Sequence, residues 1–380
     1  MKKFFKWLSA YYSKMDKILL LLVIVCAATG VVMLYSIAAN ELDRVVTMRQ
    51  VYTQILAITL GVLGCCVLSA IDYHKLAKLW FIHLPLTIGI TLLTFTSLGV
   101  GRTGADDLAW IDLGFITLQP SEFLKISFIL SFSYHLFKDK ENINKIGHLA
   151  LLCLHGAIPI ALVGLQGDYG TACVFIFTFL VMLFSAGLWL RYIAAGGIIG
   201  ALACVFAWQF VLKSVHKNRI LVLFNPGTDP LGLEYQQNLG LASLGAGGVF
   251  GKGLFADSYI TVPEMHNDFI FAYVGQTIGF VGAIGLFVVL ALTCLRLIAN
   301  CRTAKDSLGK LICLGMFAVL FSHCFMNIGM VLKVMPVIGV PLPFVSAGGT
   351  ATLSMFLGIG LAMSTHSHSE KKYRVFYDAE

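Results

Sequence analysis

The sequence predicts an all-α protein that crosses a membrane about ten times and forms a single domain over residues 1–380. Three observations carry that prediction. Of 380 residues, 58% are hydrophobic and only 12% are charged, about half the charged share of soluble domains. Apolar runs close to the roughly 20 residues a bilayer demands recur at 15–39, 51–71, 77–98, 122–137, 149–165, 171–190, 192–212, 269–296, 309–332 and 348–365. With the N-terminus inside, 18 of the 27 Lys and Arg fall on cytoplasmic segments and 8 on outer ones, while Lys125 lies within a helix. That bias is the one cytoplasmic loops carry, so both termini are expected to be cytoplasmic.

The elements follow in order. The first run comes after Lys2, Lys3, Lys6, Lys14 and Lys17; although "SIA" at 36–38 has the form of a cleavage site, the run exceeds a secretory core of about 7–15 residues and reads as a retained helix. Basic residues then mark the inner connections: Lys75 and Lys78; Lys138, Lys140 and Lys145; Arg191; and Arg296, Arg302, Lys305 and Lys310. The fourth run opens at "QPSE", where Ser121 follows Pro120 and Glu122 sits in a first turn that favours negative charge. The fifth and sixth meet at the outer turn "QGDYGTA", and the tenth follows "MPVIGVPLPFVSAGG", whose prolines break the chain into a re-entrant turn.

Several functions are excluded. The net charge of +7 is accounted for mainly by the loop bias, and no basic stripe interleaved with aromatics marks a nucleic-acid partner. Nine of ten cysteines fall inside the runs and no pair has CxxC spacing, against disulfides and zinc. "GAGGVFGKG" lacks the phosphate-loop frame, so ATP-driven transport is not encoded.

Chemistry is therefore expected in two outer loops. The longest spans 213–268 and is punctuated by Pro226, Gly227, Pro230 and Gly232, then by five glycines in 245–253. A structureless connection that long is uncommon, so it is expected to fold back, partly re-entrant, and line a cavity. It ends in "VPEMHND", which sets Glu264, His266 and Asp268 at alternate positions before an apolar run. These three either serve a site or, with Asn267 or Asp268 as N-cap, only open the next helix. The other loop, 99–122, carries Trp110, suited to a membrane interface or to stacking on a sugar.

In order and spacing, "GFITLQPSE", "GDYGTA", "NRILVLFNPGTDPLG", "GAGGVFGKG", "VPEMHNDFIFA" and "MPVIGVPLPFVSAGGTA" resemble the SEDS family of ten-helix membrane proteins over nearly the whole chain. "PVIGVPLPFVS" and "MSTHSH" are more similar to its elongation branch, RodA, than to its division branch, FtsW. The resemblance implies a peptidoglycan glycosyltransferase of the bacterial inner membrane that polymerises lipid II on the outer face. It further implies a class B penicillin-binding protein (transpeptidase) and other elongation-complex proteins as partners, with surrounding membrane lipid.

That chemistry needs a base for a sugar hydroxyl and a sink for a departing diphosphate. Asp268, where polar loop meets the apolar run, is the candidate base, matching the family's aspartate; partial desolvation would raise its pKa toward neutrality. Glu264 and His266 would tune it or hold a divalent cation such as Mg or Mn. Arg219 and Lys252 are the candidate anion sink, the latter with help from N–H groups of its glycine-rich turn. Their alternative is snorkelling toward headgroups. Tyr235, Gln236 and Trp110 would add sugar contacts. Glu122, Lys125, Asp168, Asn327 and Ser346 are assigned structural or conformational roles, with Asp168 as a partner for Lys125.

The chain departs from the family pattern at Ala109, where a cation is usual, at Leu239 and Ala347, and at Gln276 and Thr277, where an acidic pair is expected. Two other functions stay open: a transporter flipping lipid-linked precursor, which a multi-helix bundle with intramembrane charges also suits, and a catalytically silent scaffold, which the departures favour. Against the transporter, no inverted repeat is evident and polar chemistry gathers on one face.

Overall fold

The computed structural model describes residues 14–43, 46–101, 107–114 and 117–368. The charges counted at Lys2, Lys3, Lys6, Arg44, Arg102, Lys371, Lys372 and Arg374 lie outside the described residues.

All ten apolar runs are helical. The described helices are α1 (Lys17–Ala39), α2 (Met48–Ala70), α3 (Tyr73–Lys78), α4 (Trp80–Leu92), α5 (Pro120–Lys138), α6 (Ile146–Leu165), α7 (Tyr169–Ser185), α8 (Leu190–Phe206), α9 (Ser214–Phe224), α10 (Tyr235–Ala246), α11 (Ile270–Thr303), α12 (Ser307–Val331) and α13 (Gly349–Ser367). A 3₁₀ turn prolongs α4 to Phe95 and a π turn prolongs α8 to Val211. Six, namely α1, α2, α6, prolonged α8, α11 and α12, are long and apolar enough to cross a membrane unaided. Prolonged α4 and α7 are apolar but shorter. The remaining two of the ten, α5 and α13, bury most of their residues, polar ones included, inside the bundle.

Local chemistry sets the helix starts. Asp16 caps α1 through the N–H of Leu19, Asp168 caps α7 through Thr171, and Asp306 caps α12 through Gly309. Each carboxylate satisfies an N–H that the first turn leaves unpaired. Pro120 opens α5, where its missing N–H is harmless. Packing gathers α1, α11, α12 and α13 around one core, and α5, α6 and α7 around a second that includes Leu124, Phe128, Phe132 and Phe175. By contrast α8 buries none of its residues, the pattern of a helix facing lipid.

Two loops differ from expectation. The segment 99–118 forms a small antiparallel sheet, β1 (Gly99–Val100), β2 (Trp110–Asp112) and β3 (Thr117–Leu118), with Val100 opposite Trp110 and Ile111 opposite Leu118. The long loop carries helices of its own, α9 and α10. After α10 its glycine-rich stretch runs beside α11, which is broken at Gly279 (φ 77°, ψ −171°). The N–H groups of Phe280 and Val281 bond to the carbonyls of Gly248 and Val249, while those of Lys252 and Gly253 bond to Gln276 and Thr277. The loop thus mends the break. Any side chain at Gly279 would meet both an unfavourable φ and a Cβ 2.3 Å from the Gly251 nitrogen. Gln276 lies roughly 9 Å along α11 from its start at 1.5 Å per residue, so the long loop folds back beside the first turns of that helix.

Candidate active site

The turn that delivers Asp268 folds through Glu264, whose carbonyl accepts the N–H groups of Asn267 and Phe269. Glu264 itself adopts φ 58°, a left-handed conformation a non-glycine residue holds only when its surroundings impose it. The imposition is visible in the next residues. The carbonyl of His266 accepts the Ala347 N–H (2.9 Å), that of Asn267 accepts the Ser346 hydroxyl (2.6 Å), and that of Asp268 accepts the Asn327 amide (2.9 Å). Three consecutive carbonyls are clamped by α12 and the segment before α13. Ser346 also receives the Leu342 N–H, and Asn327 reaches the Val340 carbonyl, so the clamp is braced internally.

Asp268 is 6% exposed and immediately precedes Phe269, the N-cap of α11, which makes no side-chain cap bond. His266 turns toward α1, where its Nδ1 lies 2.9 Å from Asp43 Oδ2. Asp43, just past the end of α1, is a site residue that sequence reasoning missed. Glu264 is exposed and contributes backbone conformation. Among the described residues no three His, Cys, Asp or Glu gather into one cluster.

The candidate anion-binding residues need correction in one respect. Arg219, on α9, donates to the Val337 carbonyl (3.3 Å) and so lies against the segment before α13. Lys252 Nζ donates to the Ser258 carbonyl (3.3 Å). Its glycine-rich turn is not an anion cradle, because the N–H groups of Gly248, Gly251, Lys252 and Gly253 are all spent on backbone carbonyls. Tyr235 and Gln236 open α10, but it is their neighbours that are anchored. Gln237 donates to the Met330 and Met335 carbonyls, and Glu234 accepts Gly227 and Asp229 N–H groups and the Lys333 ammonium. Burial raises the Glu234 carboxyl, but these donors outweigh it and hold the group below the ordinary carboxylate range. Trp110 is half-buried in β2.

Lys125 has a partner other than the expected Asp168. Its ammonium sits 2.9 Å from Glu122 Oε1 and 2.8 Å from His323 Nε2, and the second Glu122 oxygen accepts the Ser354 hydroxyl. One helical turn separates Glu122 from Lys125, so i,i+3 geometry supplies the partner locally. His323 Nδ1 in turn faces the Pro341 carbonyl at 3.2 Å, so the buried charge and the segment before α13 are connected. Asp168 instead caps α7 and accepts the Gln119 amide. The departure at Gln276 is accommodated: neutral and fully buried, it accepts from Ser243 and the Ile260 N–H and donates to the Ile260 carbonyl, a pairing a carboxylate could not complete.

The sequence profile of the FtsW/RodA/SpoVE family of cell cycle proteins matches residues 16–371. The chain belongs to this family. It is 33% identical over 294 residues to the peptidoglycan glycosyltransferase MrdB of Escherichia coli (strain K12), covering 76% of this chain and 78% of that one. It is 27% identical over 434 residues to the peptidoglycan glycosyltransferase RodA of Treponema pallidum, covering 93% and 98%. Its structure is similar to the Thermus thermophilus rod shape determining protein RodA, with a TM-score of 0.69, 26% identity, and coverage of 94% of this chain and 98% of that one. A chain of a peptidoglycan synthase complex, described for coordination of polymerization and crosslinking, matches with a TM-score of 0.77, 28% identity, and coverage of 94% and 99%. FtsW/RodA/SpoVE membership agrees with the resemblance read from the motifs.

Proposed function

We propose that the chain is a peptidoglycan glycosyltransferase of the elongation type that polymerises lipid II, with Asp268 as general base. The observation that carries the assignment of Asp268 is the clamp on the His266, Asn267 and Asp268 carbonyls, which holds a mostly buried carboxylate in place. A carboxylate so fixed and partly desolvated is suited to take the proton of a sugar hydroxyl as it attacks an anomeric carbon. The C–O bond to the new glycan forms, the bond to the lipid diphosphate breaks, and the diphosphate leaves carrying the electron pair. Arg219 is the cation placed against the same re-entrant segment, where it would meet that negative charge. An apolar groove of about 610 Å³ beside this end, lined by Leu244, Phe271, Phe287 and Ile328, suits a polyprenyl tail.

The proposal places the chain in the bacterial inner membrane with both termini cytoplasmic and Asp268 outside, and assigns a class B penicillin-binding protein as its partner, supported by the synthase-complex likeness. No step is routed through a divalent cation. Orientation is tested with cysteine-free variants. A cysteine placed at Ser258 should react with an impermeant thiol reagent from outside and one at Asn142 should not; reversed labelling overturns the topology.

Chemistry is tested with Asp268→Asn in detergent-solubilised protein supplied with lipid II. The variant keeps size and loses the basic oxygen, so polymerisation should fall about a hundredfold to ten-thousandfold with unchanged thermal stability. Near wild-type polymer would remove Asp268 from the chemical step. Movement of labelled lipid across liposomes without polymer would favour a flippase.

A further inference from the structure

The segment between α12 and α13 holds a strained residue and two prolines. Phe344 is 2% exposed and adopts φ 66°, left-handed like Glu264 in the turn it helps to clamp. Pro341 and Pro343 have no N–H to offer, so this stretch cannot build a ladder of its own and depends on donors from outside. One face of α12 supplies two of them. Asn327 donates to the Val340 carbonyl (2.8 Å), and His323 Nδ1 lies 3.2 Å from the next carbonyl, that of Pro341. Four residues separate these side chains, which sets them on the same side of the helix. Immediately beyond Pro341, the Leu342 N–H bonds to Ser346 Oγ (2.8 Å), and Ser346 donates to the Asn267 carbonyl (2.6 Å).

The two ring nitrogens of His323, itself 1% exposed, face unlike partners. Nε2 lies 2.8 Å from the Lys125 ammonium, which Glu122 accompanies at 2.9 Å. An ammonium only donates and a carbonyl only accepts. Nε2 is therefore the bare nitrogen, and the proton sits on Nδ1, pointing at Pro341. The other tautomer would set an N–H against the ammonium and a lone pair against the carbonyl, and a doubly protonated ring would set a second positive charge against Lys125.

We infer that His323 is a positioning residue for the reaction: a neutral ring, protonated on Nδ1, that holds the Pro341 carbonyl and, through the Leu342–Ser346 turn, the backbone that presents Asp268. The Glu122–Lys125 pair thereby acquires a part in the site, because the ammonium keeps the His323 proton on the nitrogen facing the segment. His323 and Asn327 work as two adjacent pegs, one acting on the base through Ser346 and Asn267 and the other reaching the Asp268 carbonyl itself. This rests on the reading of Asp268 as general base and deepens it, by naming what sets the position of that base.

Two variants and one spectrum test it on the full chain in detergent. Asn places its amide where Nδ1 stands and keeps the donor to Pro341, whereas Gln places its amide at the reach of Nε2 and loses that donor. His323→Gln should lower kcat for lipid II polymerisation about tenfold, the share of one hydrogen bond, with KM unchanged. His323→Asn should retain most of the rate. Amide hydrogen exchange over 337–347 should quicken in His323→Gln and stay slow in His323→Asn, with no change in either over 294–303 at the opposite end of α11. Nitrogen NMR of histidine-labelled wild-type protein, with the His323 signal identified by its loss in His323→Asn, should show a neutral ring protonated on Nδ1. That spectrum tests the inference even where His323→Gln fails to fold. A ring protonated on Nε2 or on both nitrogens, equal losses in the two variants, a rise in KM at constant kcat, or a lost rate without faster exchange over 337–347 would each overturn it. Asp268→Asn decides the base separately: near wild-type polymer from that variant removes the general base, while the tautomer and exchange results stand as measured.

Discussion

The two ends of α1 show how differently one bundle uses buried polar groups. Its 23 residues separate Asp16 from Asp43 by about 34 Å at helical rise. At the Asp16 end, side chains join side chains: Arg296 Nε and Asn300 both reach Asp16, and His74 lies between Asp72 and Asp306. At the Asp43 end, beside the His266–Asp43 pair, side chains join backbone: Ser346 and Asn327 hold carbonyls of a turn, and Asn327 and Gln237 each reach two carbonyls. Pairs of side chains staple helices that are already regular. Bonds to carbonyls hold irregular chain, whose polar groups have no ladder of their own and must be satisfied individually inside a membrane protein. Irregular chain held this firmly is where a site can be built.

The sharpest way to break that comparison is at Lys125, the buried ammonium next to the segment before α13. Both it and Glu122 have side chains only 1% exposed. Lys125→Ala leaves the Glu122 carboxylate buried with the Ser354 hydroxyl and no cation, and stability should fall by about 3–5 kcal/mol. Lys125→Met combined with Glu122→Gln removes both charges at similar volume and should recover most of that loss. Denaturation of the purified variants in detergent checks both. A single variant as stable as wild type, or a double variant no better than the single, would show that the pair is not acting as a compensated buried charge.

Asn327→Ala should have the next largest effect. It leaves two carbonyls, of Asp268 and Val340, without this donor, at about 1–3 kcal/mol for each unsatisfied group. Polymerisation should drop further than the stability loss accounts for, because the clamp on Asp268 opens while the carboxylate remains. Equal loss for Asn327→Ala and for Arg296→Ala, at the opposite end of α1, would erase the distinction between clamp and staple.

Local pattern explains what was legible beforehand. Apolar runs predict helices because each helix satisfies its own backbone, and all ten emerged; the "VPEMHND" turn stood out because titratable groups rarely border such a run. What escaped depends on residues far apart in sequence. Asp43 meets His266 across 223 positions, and His323 meets Lys125 across 198. No periodicity encodes such pairs. The mending of α11 was hidden for another reason: glycines that suit an anion cradle also suit close backbone approach, and only the break at Gly279 decides between them. A glycine within the run "QTIGFVG" was the available signal. Gln237 was passed over for Gln236 because helix phase, unknown beforehand, determines which of two adjacent amides faces α12.

The smallest expected effect belongs to the staple at His74, and it is a pH dependence. The ring contacts Asp72 at 2.9 Å and Asp306 at 2.6 Å, Tyr73 donates to the other Asp306 oxygen, and His368 acts on Asp72. Burial lowers the His74 pKa, but the two carboxylates outweigh it and raise the group above its ordinary 6.5. A raised histidine contributes its stability fully below the unfolded pKa and loses it as pH climbs through the folded one. Asp72 is shifted the other way, so its contribution is present above about pH 4 and stays constant across the histidine's window. The side chain is 33% exposed, so solvent screening limits the effect to below about 1 kcal/mol. His74→Gln should therefore be slightly less stable than wild type below the ordinary histidine value of 6.5, and the gap should narrow as pH climbs above it and the wild-type ring deprotonates. Melting curves of both proteins across that range give the answer. A gap that is constant or widens with pH would mean the imidazole holds its two carboxylates as a neutral donor, and the staple would then be a hydrogen bond with no charge in it.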